Sequence, residues 1–318
     1  MPKNHKLLRF INAPVFSKSS EFASLSNISV DVILRCCYAE RHYFVFDIPK
    51  KSGGIRKIYE PDDNLKAIQR WILRHILDRL NSSPYATAFR KGTNLVCNTS
   101  PHANNRYFFC LDLKDFFPSI IGQKVKRIFS TIGYSDRAAK LLTKLCTYKN
   151  FLPQGAATSP SLSNLVASKL DRRINGYVAK RNIIYTRYAD DITLSSNKHY
   201  SLFKIRDRIK SIIENEGFLI NQEKVHFSGP RRRCVITGLV KNSSEPRFSI
   251  GRRKKRTMRT IMHRFLSTGQ CDKKFRSSAS IEGYLSFLKG VDKRSYSQLS
   301  PYWSKLKVKY LPKKSVAI

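Results

Sequence analysis

Ile183-Ile184-Tyr185-Thr186-Arg187-Tyr188-Ala189-Asp190-Asp191-Ile192-Thr193-Leu194-Ser195 is the stretch on which the reading of this chain turns. β-Branched and aromatic residues fill both arms, and its two acids sit together at the centre. The segment therefore reads as a strand, a tight turn and a second strand. Adjacent carboxylates at a hairpin tip repel one another unless a cation lies between them. Asp190 and Asp191 are thus the first candidates for a metal site.

Upstream, Tyr107-Phe108-Phe109-Cys110-Leu111-Asp112-Leu113 reads as a buried strand with one acid near its end, running on into Lys114-Asp115-Phe116-Phe117-Pro118. A carboxylate there needs a partner, because an unpaired buried charge is costly. Asp115 is expected in solvent or capping the next turn. Strands interleaved with helices suggest that Asp112, Asp190 and Asp191 meet on one sheet. Three such carboxylates can clamp two divalent ions about 4 Å apart, and hard oxygen ligands suit Mg²⁺. One ion would activate an attacking hydroxyl and the other would neutralise a leaving pyrophosphate.

Charge points the same way. Sixty Lys and Arg face 22 Asp and Glu among 318 residues, a formal net charge of +38. A globular chain this basic is expected to hold a polyanion, with nucleic acid ahead of an acidic membrane surface or protein partner. Together with the carboxylates, this indicates nucleotidyl transfer on a nucleic-acid primer. Seven cysteines, an odd number without any CxxC, exclude a zinc ribbon and a disulfide framework. No run of apolar residues is long enough to span a bilayer and no signal segment is evident, so a soluble intracellular protein is expected.

Further from the hairpin the elements are less distinctive. No structure is assigned to 1–25. Asn27 is expected to cap a helix to about 39. Strands at 43–48 and 55–59 flank a basic turn at Lys50-Lys51-Ser52-Gly53-Gly54, whose tip, with Arg56 and Lys57, either grips phosphates or is a solvated loop. An amphipathic helix is expected from Asn64 to Leu80. Asn98-Thr99-Ser100-Pro101-His102 reads as a polar loop, with His102 a functional contact or a surface residue. Helices are expected at 123–131, 135–147, 161–179 and 199–216. Short strands follow at 218–221 and 224–228, and Cys234 to Val240 reads as one more strand. From Lys241 onward 20 Lys and Arg face four acids. Helices are expected there at 252–267, 278–289 and 295–309, the first opened by Arg252-Arg253-Lys254-Lys255-Arg256, with basic faces free for phosphates.

These residues carry a family resemblance. Tyr188-Ala189-Asp190-Asp191 resembles the signature hairpin of reverse transcriptases. Asp112 with Phe116-Phe117-Pro118 is similar to their first catalytic-acid motif, Leu152-Pro153-Gln154-Gly155 to their nucleotide-side motif, and Gly217 through Lys224 to the later motif that ends in lysine. The order and spacing agree across about 45–240. Within that family the chain most resembles bacterial retron enzymes. They carry Asn-Ala-x-x-His, here Asn98-Thr99-Ser100-Pro101-His102, and Val-Thr-Gly, here Ile236-Thr237-Gly238.

The resemblance implies an α+β right-hand polymerase with fingers, a palm with an antiparallel sheet, and a helical thumb. The expected lobes are 1–107 (N-terminal extension and fingers), 108–240 (palm, with a finger insertion at about 122–160) and 241–318 (basic thumb). Asp112, Asp190 and Asp191 would bind two Mg²⁺, and Lys224 would protonate pyrophosphate. Phe117 would exclude the 2′-OH of a nucleotide, Gln154 and Gly155 would line the nucleotide pocket, and Arg56, helped by Lys51 or Lys57, would hold the triphosphate. His102, Thr237, Gly238 and residues 252–256 would contact RNA or primer. The implied partners are dNTPs, a cognate non-coding RNA (msr-msd) that primes from a guanosine 2′-OH, its branched msDNA product, and a separate effector in anti-phage defence. Two alternatives remain: another reverse transcriptase class, such as a group II intron protein, and a non-catalytic RNA-binding protein of this fold.

Overall fold

The computed structural model describes residues 5–50, 53–242 and 245–310. The N-terminal region forms α1 (Lys6–Phe10), α2 (Ser19–Ser26) and α3 (Val30–Cys36). Asn27 does not start α3. It closes α2 in the left-handed conformation (φ 56°), which asparagine tolerates, and the Ser29 hydroxyl caps α3 by accepting from the Val32 amide. A two-stranded ribbon follows, β1 (Tyr43–Pro49) against β2 (Ile55–Pro61), with Ile48 opposite Arg56 and Asp47 opposite Lys57. Gly53 and Gly54 both have positive φ in its turn; Lys51 lies outside the described residues. Helix α4 (Asp63–His75) is capped by Asp62 rather than starting at Asn64, and it stops before Leu80. Its apolar stripe continues through a 3-10 turn at Leu77–Arg79, so Ile76 and Leu77 stay buried. The polar segment 98–102 is no surface loop. Short helix α5 (Leu95–Thr99) and the turn after it bury Asn98, Thr99 and His102.

The central element is β3 (Tyr107–Lys114). Helices α6 (Gly122–Thr131), α7 (Asp136–Cys146) and α8 (Ser159–Val178) come next, then β4 (Ile184–Tyr188), β5 (Asp191–Ser196) and α9 (His199–Asn215). Strands β6 (Leu219–Ile220) and β7 (His226–Ser228) complete an antiparallel sheet in the order β4-β5-β3-β6, with β7 also paired to β3. Cys234–Val240 is not one strand. It is a hairpin of β8 (Val235–Ile236) and β9 (Leu239–Lys241), and Thr237 and Gly238 form the turn with φ of 45° and 82°. Two consecutive positive-φ residues are what a two-residue hairpin of this twist requires. Strand β10 (Phe248–Ser249) pairs with β9, and α10 (Gly251–Ser267), α11 (Ser278–Val291) and α12 (Lys293–Tyr310) close the fold. Residue 240, where the palm was expected to end, lies inside β9.

Successive residues of a strand face opposite sides, and β3 uses both. Phe109, Leu111 and Leu113 join a core built with α4 and α6 to α9, whereas Phe108 and Cys110 join a second core with Ile236, Phe248, Met262 and Trp303. Burial on both faces explains why β3 is almost continuously apolar. On the first face Phe109 stacks on Phe227 at 4.3 Å, and Phe227 on Phe203 at 4.4 Å. Among the described residues no helix is long and apolar enough to cross a membrane.

Candidate active site

Strand register brings the acids together. Asp112 on β3 lies opposite Asp191 on β5, and Asp191 is also the partner of Tyr188 across the β4–β5 turn. Ala189 and Asp190 form that turn. Ala189 takes φ 57°, a left-handed conformation that strains a residue bearing a Cβ by roughly 1–3 kcal/mol. Two hydrogen bonds hold the turn in place: the Leu113 amide donates to the Asp190 carbonyl at 3.0 Å, and the Arg187 guanidinium donates to the Ala189 carbonyl at 2.9 Å. Asp112, Asp190 and Asp191 each place an oxygen within 4.8 Å of the others.

Three carboxylates this close cannot all stay charged without help. Burial, reinforced by Asp190 and Asp112, pushes Asp191 up to about 7, and burial together with Asp112 raises Asp190. Lys224 opposes this. Its Nζ lies 2.8 Å from Asp112 Oδ2, and that hydrogen bond raises the ammonium above its usual range. The 3-10 turn Gln222–Lys224 delivers it there, helped by the Asn221 amide donating to the Asp112 carbonyl at 2.8 Å. One ammonium against three carboxylates still leaves the pocket anionic. A hard-oxygen donor set with surplus negative charge fits divalent magnesium.

Of the residues expected on the nucleotide side, Arg56, Gln154 and Gly155 meet at the ribbon. The Tyr59 amide donates to the Gln154 carbonyl at 2.7 Å, docking Leu152–Gly155 on β2. Gly155 has φ 126°, and a Cβ there would lie 2.4 Å from the Tyr59 carbonyl oxygen, so this close approach requires glycine. Arg56 on the same strand offsets a little of the rise that burial and Asp112 cause in the Asp190 carboxyl. Lys57 is not brought to the acids with it. As the next residue in a strand it turns to the other face, where it lies 3.6 Å from Asp47. Phe117 follows a turn at Asp115 (φ 47°) and sits half-buried against Phe116 and Phe89, at 5.6 and 6.1 Å. Asp115 itself is exposed, and its carbonyl accepts from the Ser119 amide.

The expected RNA and primer contacts divide. The Thr237–Gly238 turn reaches the acids, because Thr237 lines a cavity of about 210 Å³ with Asp112, Asp191 and Lys224. Lys254 donates to the Gly238 carbonyl at 2.7 Å. Arg252, Arg253, Lys254 and Arg256 are exposed on the first turns of α10, and Lys255 bonds Gln298. His102 cannot touch nucleic acid here. It is fully buried, one ring nitrogen lies 2.6 Å from the Ser195 hydroxyl, the other lies 2.8 Å from that of Thr186, and burial lowers its pKa to about 3. It braces β4 and β5 behind the acids.

Two groups have no role assigned from sequence. Arg106 and the basic loop Arg231 to Arg233 join Arg252 and Lys255 around a cleft of about 820 Å³ between the palm sheet and α10; a run of three arginines marks a basic loop in the sequence but does not show what it faces. Arg187, Asp171 and Asn164 are buried polar residues beside the Ala189–Asp190 turn. Their signal was a carboxylate and an amide on the apolar stretch of α8, opposite an arginine inside a β run.

A family model described as reverse transcriptase (RNA-dependent DNA polymerase) matches residues 48–267. Retron Ec86 reverse transcriptase of Escherichia coli is 42% identical over 309 residues, 95% of this chain and 93% of that protein. Retron Mx65 reverse transcriptase of Myxococcus xanthus is 30% identical over 323 residues, 94% of this chain and 74% of that one. Among solved structures, Candida albicans telomerase in complex with the TWJ fragment of telomeric RNA superimposes with a TM-score of 0.51 at 13% identity, over 84% of this chain and 56% of that one, a likeness of fold alone.

Proposed function

The chain belongs to the reverse transcriptase family and, within it, to the retron enzymes, so it is an RNA-directed DNA polymerase; we propose that it copies a cognate non-coding RNA, msr-msd, priming from a guanosine 2′-OH of that RNA to make branched msDNA. The observation that carries the chemistry is the convergence of Asp112, Asp190 and Asp191 within 4.8 Å. These carboxylates would hold two Mg²⁺, which when bound supply charge neutralisation at the attacking hydroxyl and the leaving pyrophosphate.

The protein's own groups divide the remaining work. The primer hydroxyl releases its proton to solvent as its oxygen bonds the α-phosphorus of the dNTP, and the bond from that phosphorus to pyrophosphate breaks. Arg56 and the Gln154–Gly155 loop position the triphosphate on the ribbon. Phe117 bars a 2′-OH at the incoming sugar. Lys224, kept protonated beside Asp112, gives its proton to pyrophosphate. Thr237 and Gly238 support the primer end, and the cationic cleft with residues 252–256 takes RNA phosphates. Residues 1–107 then act as extension and fingers, 108–240 as palm and 241–318 as thumb. We assign the enzyme to the cytoplasm and to anti-phage defence with a separate effector.

One experiment tests the reading. Expressed with its native locus, the wild-type protein should co-purify with RNA-linked single-stranded DNA. The Asp190→Asn, Asp191→Asn double variant should carry RNA without DNA. DNA synthesis by that variant would sink the carboxylate assignment. Wild-type activity on any primed template, without branched product, would sink the msDNA proposal.

A further inference from the structure

Directly behind the catalytic turn, Arg187 and Asp171 form an ion pair whose side chains are both 0% exposed. Arg187 Nε donates to Asp171 Oδ1 at 2.7 Å and Nη2 to Oδ2 at 2.8 Å. Nη1 donates to Asn164 Oδ1 at 3.1 Å and to the Ala189 carbonyl at 2.9 Å. Tyr185 donates its hydroxyl to Asp171 Oδ1 at 2.7 Å. Two carriers of this network, Asn164 and Asp171, are on α8, the helix that follows the Leu152–Gly155 loop.

A dry ion pair of this kind is poor evidence of stabilisation, since well-packed apolar residues of similar volume often do as well. Its use must be sought in what it holds. Here Nη1, the one guanidinium nitrogen not bonded to Asp171, grips the carbonyl of Ala189, the residue with left-handed φ, one position before Asp190. The backbone of Arg187 is fixed as well. Its amide donates to the Tyr85 carbonyl at 2.8 Å, and its carbonyl accepts from the Thr87 amide at 2.8 Å. The guanidinium also lies 5.7 Å from the centre of the Phe116 ring, next to the expected sugar gate.

We propose that Arg187, locked by Asp171 and Asn164, is the positioning residue that sets the catalytic turn, so that the placement of Asp190 and Asp191 relative to Asp112 is dictated from helix α8. The proposal rests on the polymerase reading of the three acids. Arginine is required because only a planar fork reaches Asp171 with two bonds while a third donor reaches the Ala189 carbonyl; a lysine ammonium serves one or the other.

The test uses the full chain with its RNA and compares Arg187→Lys with Tyr185→Phe, which removes one bond to Asp171 and leaves the grip on Ala189. Rates are normalised to titrated active sites. For Arg187→Lys, single-turnover nucleotide addition at saturating dNTP should fall about 10- to 100-fold, as for residues that orient metal ligands. KM for dNTP should stay within about 2-fold, and the Mg²⁺ concentration giving half of the metal-induced rise in Tm should increase about 10-fold. Tyr185→Phe should lower Tm and leave all three unchanged. A normal rate and normal Mg²⁺ dependence in Arg187→Lys would overturn the proposal, as would the same kinetic loss in Tyr185→Phe. If Arg187→Lys does not fold, Asn164→Ala should shift rate and Mg²⁺ dependence in the same direction by a smaller factor, and no shift there also overturns it. Asp190→Asn separates the two levels. If it retains synthesis, the reading of the acids has failed; if it is dead while Arg187→Lys is normal, only the positioning role has failed.

Discussion

At the scale of single residues, function here depends on where a side chain is buried. His102 was legible as a residue worth notice, but its place was not, because periodicity does not show that a polar segment folds inward against β4 and β5. Its depressed pKa has a consequence with a definite sign. The unfolded histidine takes up a proton near pH 6.5 and the folded one only near 3, so folding loses stability as pH falls below 6.5. From pH 7 to pH 5 this one group should remove roughly 2 kcal/mol. Denaturant melts of His102→Gln should show a flatter stability profile over that range than the wild type, and parallel profiles would refute the account. Phe117 is a different case. Its spacing from Asp112 was readable, and the structure leaves it half-buried between Phe116 and Phe89. Phe117→Ala should raise ribonucleotide incorporation by at least about 10-fold, the scale on which removing a steric filter shows. Unchanged sugar selectivity in competition assays would remove the gate role.

Elements were easiest to read where one period persists. The sheet strands with Asp112 and Asp191 and the amphipathic helices follow their hydrophobic patterns closely. Reading failed where a turn interrupts a β-like run. Thr237-Gly238 divides what looked like a single strand, because threonine at positive φ is not a common turn signal. It failed too at 1–25, where helices of five and eight residues are too short to show a period. The Leu152–Gly155 loop lies between these extremes: its motif is evident, but its contact with β2 is not. Gly155→Ala would put a Cβ 2.4 Å from the Tyr59 carbonyl and force an unfavourable φ, a strain of about 1–3 kcal/mol. The loop should lift from the ribbon, so KM for dNTP should rise several-fold more than kcat falls. Steady-state kinetics showing kcat alone affected would argue that the loop does not bear on nucleotide binding.

For the molecule as a whole, net charge announced a polyanion partner but not where it lies. Folding sorts the cations. Some are paired away from it, such as Lys126 and Lys140 on Asp136, while Arg106 and Arg231 to Arg233 face the cleft beside α10. Replacing Arg231, Arg232 and Arg233 with alanine should weaken RNA binding at every sequence. It should also flatten the plot of log K against log salt by about one for each phosphate left without its cation. An unaltered slope in filter-binding titrations would show that RNA bypasses the cleft. The double-sided burial of β3 reaches further still. Phe108 and Cys110 share one core with Ile236, Phe248, Met262 and Trp303, and these are made late in synthesis. A nascent chain on the ribosome therefore carries a finished Asp190–Asp191 hairpin above a half-clothed strand until that second core is complete. Cutting the gene after residue 240 would leave a sticky, aggregation-prone remnant, not a smaller polymerase.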